Sequence, residues 1–247
     1  MVLFDREMRL PTSAELPSSD DTPVDNENQN FLPNLLLFLL KFHWRQRNDW
    51  FFGVDMAIYH TTGVSHLVPI VPEGFLSLGV ERFKGDTLRL SYVLWEENNI
   101  PPILALEIVS QTYGGEYDKK IDIYARLGVL YYVIYNPYYW RRDQHQPFEV
   151  YRLVNGEYEQ QIGEPFWMPE VGLGIGRGRY SDGERQLEVL YWFDERGSRY
   201  LTAEETADRV QQRAEESAQR AEESAQRAEE IQQQLARYRD RFGELPE

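Results

Sequence analysis

Residues 101–137, PPILALEIVSQTYGGEYDKKIDIYARLGVLYYVIYNP, decide the fold. Positions 103–109 form a short apolar run of branched residues broken only by Glu107, the pattern of a strand covered on both faces. Gly114 and Gly115 punctuate a loop, and from about Asp118 the apolar spacing becomes helical until Gly128, a natural residue just past a helix end. Positions 130–135 return as a second strand, stopped by Asn136-Pro137. Strand, helix and strand in so short a span predict a βαβ unit with a parallel strand pair.

Two charges in this unit are out of place for a mere core. Glu107 lies at the carboxyl end of an apolar strand, where an ionised carboxylate is costly unless it meets a cation or a metal. At 100° per residue, Ile121, Ile123, Tyr124 and Leu127 span an arc centred near Lys120, with Lys119 at its edge. Lys120 is therefore expected to face the sheet near the strand end that carries Glu107. Open α/β sheets place their sites at that edge. The competing reading is a structural Glu–Lys ion pair with no further duty.

Working outward, the 247 residues suffice for one sizeable core and an appendage, and an apolar fraction of 42% points to a mostly globular chain. There are no cysteines, which excludes disulfides, thiolate zinc sites and cysteine nucleophiles and suits a cytoplasmic location. The start of the chain lacks the pattern of a signal peptide, and the longest apolar run, 35–40, is too short to span a bilayer. The formal charge of −15 argues against non-specific wrapping of nucleic acid. From Thr202 onward there are 7 basic and 12 acidic residues, so the tail accounts for −5 of that total.

Residues 1–26, with Pro11, Pro17, Pro23 and the acidic run at 18–21, read as a flexible arm. A buried helix is expected from about Asn30 to Arg47 with Pro33 in its first turn, preceded by Glu27 and Gln29, whose side chains either cap backbone donors or, the sharper reading, reach into a site. Strands are expected at 52–59, 67–71, 75–80 and 87–95, the last alternating through Leu88, Leu90, Tyr92 and Leu94. After Pro137, runs at 148–153 and 158–162 flank Asn155-Gly156, a hairpin signal. Positions 165–176 and 187–193 read as further short strands.

The tail differs. Thr202-Ala203-Glu204-Glu205 is a capping box, and the unit QRAEESA repeats at 212–218 and 219–225. Ala214, Ala218, Ala221, Ala225 and Ala228, continued by Ile231 and Leu235, form a heptad seam on a helix of roughly 60 Å. Alanine buries little area, so 202–241 is expected to serve weak homodimer formation or a helical protein partner; a lone solvated helix is its rival.

Other motifs lead elsewhere. The glycines of GLGIGRG at 172–178 lack the Lys-Ser/Thr and the strand–helix setting of a phosphate cradle; they mark bulges or close packing. His43, His60, His66 and His145 lack ligand spacing. No serine sits in a nucleophile elbow. The patch at 138–142, YYWRR, could stack bases and hold phosphates, or make a protein contact.

The segments PEGFLSLGV, LEIVS, a Lys four residues before Tyr in KIDIY, and GVLYYVIYNP together resemble the Uma family. These bacterial proteins are labelled restriction endonucleases and placed in the PD-(D/E)XK nuclease superfamily. The resemblance spans roughly 27–200 and is strongest over 72–137. It implies a restriction-endonuclease-like α/β fold, a mixed sheet with flanking helices, over 27–201, with 202–247 as a C-terminal long helix or coiled coil. By position, Glu73 stands where the family has aspartate after proline, Glu107 matches the acidic residue of the E-x-K element, and Lys120 matches the helix lysine. Val109 occupies the superfamily's usual lysine position. The implied site holds Mg²⁺ or Mn²⁺ on Glu73, Glu107 and the Ile108 backbone carbonyl, with DNA as substrate. The departure at Glu73 leaves an alternative: a catalytically degenerate nuclease fold acting as a DNA-binding or protein-interaction scaffold through its coiled coil.

Overall fold

The structure is a computed structural model that describes residues 9–17, 26–63, 65, 67–112 and 114–243. It divides into two units, residues 1–200 and 201–247. The acidic run at 18–21 and His66 lie outside the described residues.

The first unit opens with α1 (Glu27–His43). Leu32, Leu35, Leu36, Leu39 and Leu40 recur at helical spacing and are buried, which drives the helix onto the sheet. The helix starts earlier than the sequence suggests: the Asn26 side chain accepts from the backbone N–H groups of Asn28 and Gln29, so Glu27 and Gln29 lie within the first turn. Pro33 is interior rather than N-terminal.

Then follow β1 (Trp50–Val54), β2 (Ile58–Tyr59), β3 (Gly74–Leu78) and β4 (Tyr92–Val93). The continuous strand expected over 52–59 is broken at Asp55, whose φ of 46° is left-handed. The alternating run at 87–95 is not a strand. Tyr92–Val93 pairs in parallel with β2, Thr87 makes only an isolated bridge to Lys84, and a 3-10 turn follows at Leu94–Glu96. Leu88, 86% exposed, has no strand neighbour to cover it, so alternation there earns no burial. The run at 67–71 contributes only a bridge from Ile70 to Ile58.

The central unit comprises β5 (Leu104–Ile108), α2 (Lys119–Leu127) and β6 (Tyr131–Tyr135), with β5 and β6 parallel. Asp118 caps α2 through its side chain, and Gly128 ends it at φ 84°. Beyond lie the one-turn α3 (Trp140–Asp143) and the hairpin β7 (Phe148–Val154) and β8 (Glu157–Gln161), turned by Asn155 and Gly156 at positive φ. The sheet order is β1-β3-β5-β6-β7-β8.

A second sheet is built from β9 (Phe166–Met168), β10 (Leu173–Asp182) and β11 (Arg185–Phe193), in the order β11-β10-β9. The glycines at 174, 176 and 178 fall inside β10, not at the end of a strand over 165–176. A Cβ at Gly176 would lie 2.9 Å from the Pro165 backbone, and one at Gly178 2.6 Å from the Tyr191 ring, so these glycines serve close packing.

One face of the large sheet packs against α1 and the small sheet around Trp50, Trp192 and Met168; the other packs against α2 around Phe75, Tyr124 and Tyr132. Residues 9–17 are anchored rather than loose: Trp95 Nε1 donates to Pro11 O at 2.8 Å and Tyr59 OH to Pro17 O at 2.6 Å.

The second unit is α4 (Ala203–Phe242), whose N-terminus carries a complete capping box between Thr202 and Glu205. Its side chains are exposed over 207–241. No described helix is long and apolar enough to cross a membrane.

Candidate active site

Antiparallel pairing of β3 with β5 sets Gly74 opposite Leu106. Continuing that register by one residue brings position 73 opposite position 107, so two carboxylates meet at the sheet rim. Like charges directly opposite repel, and burial removes the water that would screen them. Glu73, only partly exposed, is pushed up to about 8 by burial first and the Glu107 charge second; Asp55 adds to the rise, while Lys120 and a hydrogen bond from Gln29 oppose it.

Glu107 is 1% exposed. Its Oε2 accepts from Lys120 Nζ at 2.7 Å and its Oε1 from Tyr124 OH at 2.6 Å. Burial still raises its pKa against both contacts, whereas the Glu107 charge holds Lys120 above its ordinary value despite burial. These two directions disagree about an ion pair, and the 2.7 Å contact decides for the charged form of both groups. Lys120 and Tyr124 stand one helical turn apart on the face of α2 that meets the sheet.

Of the two roles expected of Gln29, capping α1 or reaching a site, its side chain takes the second. Its Nε2 donates to Glu73 Oε1 at 2.6 Å and to the Ile108 carbonyl at 3.4 Å. One amide nitrogen reaching both oxygens shows that they border the same small region. Gly74 lies beneath α1, where a Cβ would meet Pro33 at an ordinary 3.5 Å and press on the Phe52 ring of β1 at 3.1 Å. The residue beside Glu73 is thus packed against both the neighbouring strand and the helix that delivers Gln29.

The structure thus gathers Glu73, Glu107, Lys120 and the Ile108 carbonyl at the carboxyl ends of β5 and β6. It adds residues that the sequence reading did not assign. Tyr124 was legible only as an apolar-face residue, though its spacing from Lys120 was a usable signal. Asp55 joins because its left-handed turn carries its backbone N–H to Glu73 O at 3.1 Å. Glu116, buried, accepts from Gly114 N at 3.2 and 3.0 Å, and its charge acts on both Glu107 and Lys120. The patch at 138–142 stands beside the same edge, with Asn28 Nδ2 donating to Tyr138 OH at 2.9 Å.

Among the described residues, no three His, Asp or Glu side chains converge closely enough to form a metal cage. His60 bonds Thr62, His145 stacks on Tyr117, and His43 stacks on Tyr200. The available donors are two carboxylates and a carbonyl. That all-oxygen set, in which Glu73 holds a proton up to about pH 8 because Lys120 does not compensate both carboxylates, fits a hard divalent ion that would take the proton's place and keep several waters.

A model for a family described as "Uma2: Putative restriction endonuclease" matches residues 21–179. The chain belongs to the Uma2 family. Uma2 membership agrees with the mixed sheet flanked by helices, a restriction-endonuclease-like fold. A crystal structure of "a putative nuclease belonging to DUF820" from Anabaena variabilis ATCC 29413 is similar at 13% identity and TM-score 0.42, covering 60% of this chain and 74% of that one. No curated protein matches the sequence.

Proposed function

We propose that this Uma2 chain is a divalent-metal-dependent endonuclease that hydrolyses phosphodiester bonds in DNA. The observation that carries the reading is a pair of carboxylates at the rim with too little positive charge beside them. Glu73 and Glu107 sit together, and among the described residues Lys120 is the one ammonium acting on both, so Glu73 keeps up to about pH 8 a proton that a divalent ion would replace. Glu73, Glu107 and the Ile108 carbonyl would hold Mg²⁺ or Mn²⁺, which would polarise the scissile phosphate and offset its growing charge.

The chain's own groups supply positioning. Glu107 and Tyr124 fix the network, and Glu107 holds Lys120 in place. Lys120 carries three donors, of which Glu107 occupies one, and its side chain remains 23% exposed. The remaining donors can orient the attacking water or meet a phosphate oxygen. Gln29 keeps the Glu73 carboxylate near the Ile108 carbonyl.

A second reading is favoured by Glu73 itself. Its extra methylene, where relatives of the resemblance carry aspartate, displaces the carboxylate, and a misplacement of ~1 Å costs on the order of 10²-fold in rate. The fold would then be a DNA-binding scaffold, with the exposed alanine seam of α4 joining two copies or a helical partner. Plasmid incubated with the protein under Mg²⁺, Mn²⁺ or EDTA separates the readings. Metal-dependent nicking that disappears in Glu107→Ala and Lys120→Ala supports the nuclease. Equal nicking by wild type and both variants overturns it.

A further inference from the structure

A groove of about 570 Å³ runs along β1, the edge strand of the large sheet. Lys41, Arg45, Arg47, Arg82, Lys84 and Arg89 line it, and among the described residues no Asp or Glu does. On a chain of formal charge −15, such a gathering of cations is a local exception. Field lines concentrate in a groove, so local charge rather than the molecular sum governs what enters.

Part of this charge is compensated from outside the lining. Arg47 pairs with Asp49, and Lys84 and Arg89 share Glu97 at 2.8 Å each. Lys41, Arg45 and Arg82 make no ion pair among the described residues. The Arg82 guanidinium lies 4.1 Å from the centre of the Trp50 ring and 5.1 Å from that of Phe83. Stacking fixes the face of a guanidinium while leaving its N–H edges free to bind an anion. Burial and the neighbouring Arg89 both press the Arg82 pKa down, as expected of a cation lacking an anion. Phe83, 66% exposed, adds an open ring beside these charges.

We propose that this groove binds single-stranded nucleic acid, with phosphates on Lys41, Arg45 and Arg82 and an unpaired base on Phe83. The inference rests on the nuclease reading for its choice of ligand, and it adds a substrate form and a second contact surface. Cations interleaved with accessible rings reward a strand whose bases are unstacked, because a duplex keeps its base faces stacked and offers none to an exposed ring. The groove also leads to the site. Val54 and Met56 line its end, and the intervening Asp55 donates its backbone N–H to Glu73 O at 3.1 Å. A strand lying along β1 would thus be directed toward Glu73.

The test is fluorescence anisotropy of labelled dT20 with the full chain, in EDTA so that cleavage does not intervene. Lys41→Ala/Arg45→Ala changes two exposed side chains, and Phe83→Ala removes the ring; thermal melts check that both variants fold. The expected result is about tenfold weaker binding for each, a 20-bp duplex that binds less well than dT20, and a salt slope smaller by about 1.4 in the double variant. Wild-type failure to bind dT20, unchanged binding by both variants, or equal competition by a poly-glutamate peptide would overturn the groove assignment. Strand binding without plasmid nicking would keep the groove and remove the nuclease. Lys120-dependent nicking with dT20 binding that ignores the groove variants would do the reverse.

Discussion

Two buried carboxylates in this molecule meet cations, yet they do different things. Glu97, 4% exposed, accepts from both Lys84 and Arg89, each at 2.8 Å. Arg89 also donates to the carbonyls of Glu81 and Arg82, so the cluster ties the loop after β3 to the turn after β4. Glu107, 1% exposed, has one ammonium and one hydroxyl, and a second carboxylate stands beside it. The Glu97 cluster is over-supplied with positive charge; the Glu107 cluster is short of it. A buried ion pair alone does not mark a site, because structural pairs look the same in a list of contacts. A deficit of compensation marks one, since something from outside must supply the missing charge.

The comparison breaks most visibly if the two glutamates respond alike to mutation. Glu97→Ala leaves the buried Arg89 and the partly exposed Lys84 without an anion, and it is expected to cost about 3 kcal/mol in urea unfolding. Per folded molecule its kcat at saturating plasmid should stay near wild type. Glu107→Gln keeps the shape but removes the charge that holds Lys120, and a loss on the order of 10³-fold in kcat is expected. Equal rates for the two variants would show that charge deficit does not identify the site.

The deficit also predicts a pH signature in metal-free protein. Glu73 titrates at about 8 in the folded chain against an ordinary 4.5. Between those values the folded state retains a proton that the unfolded chain has released. Stability therefore falls as pH rises through this window and levels off above about 8. With solvent screening we expect about 3 kcal/mol between pH 5 and pH 8.5, measured by urea melts in EDTA. Glu73→Gln should flatten the profile, and Mg²⁺ should raise the stability of wild type, not of the variant, at pH 8.5. Parallel profiles for both proteins would mean that Glu73 carries no such strain.

How much of this was legible in the sequence follows from how local each signal is. The span 104–135 reads correctly because each part of it is local: branched residues for β5 and β6, a cap at Asp118, a stop at Gly128. The same locality puts Lys120 on the sheet side of α2, where it meets Glu107. The run at 87–95 misleads because alternation fixes which residues share a face but not whether another strand will cover them. The break at Asp55 carries no glycine or proline to announce it, and only its place beside Glu73 accounts for the turn. Gln29 is legible only as a choice between capping and reaching a site. Its role depends on how α1 sits over the rim, a contact between residues 44 and 79 positions apart in the chain.

Tyr124 sharpens the comparison at a smaller scale. Its hydroxyl supplies part of what a second cation gives Glu97. Tyr124→Phe removes a buried hydrogen bond to a charged group at 2.6 Å, with an expected cost of about 2 kcal/mol in urea unfolding. Because Glu107 then keeps only Lys120, a drop of about tenfold in kcat should accompany it. A stability loss without any rate change would assign the hydroxyl to the core alone.

The smallest effect expected concerns Gly74, and it separates packing from chemistry. A methyl group there comes 3.1 Å from the Phe52 ring, which must yield by a few tenths of an ångström, while Pro33 of α1 is met at an ordinary 3.5 Å. The cost in stability should be about 1 kcal/mol. Gly74 adjoins Glu73 in the chain, so whatever part of the strain β3 takes up in its backbone acts on the carboxylate that Gln29 bonds at 2.6 Å. Gly53→Ala provides the contrast: its methyl would lie 2.2 Å from the Phe75 ring, a worse clash, on a strand that delivers no side chain to the rim. Gly74→Ala should therefore lose several-fold in kcat with little unfolding, and Gly53→Ala should lose more stability with a smaller change in rate. If the rates instead follow the stabilities, the backbone at Gly74 has no part in positioning the Glu73 carboxylate, and this glycine serves packing alone.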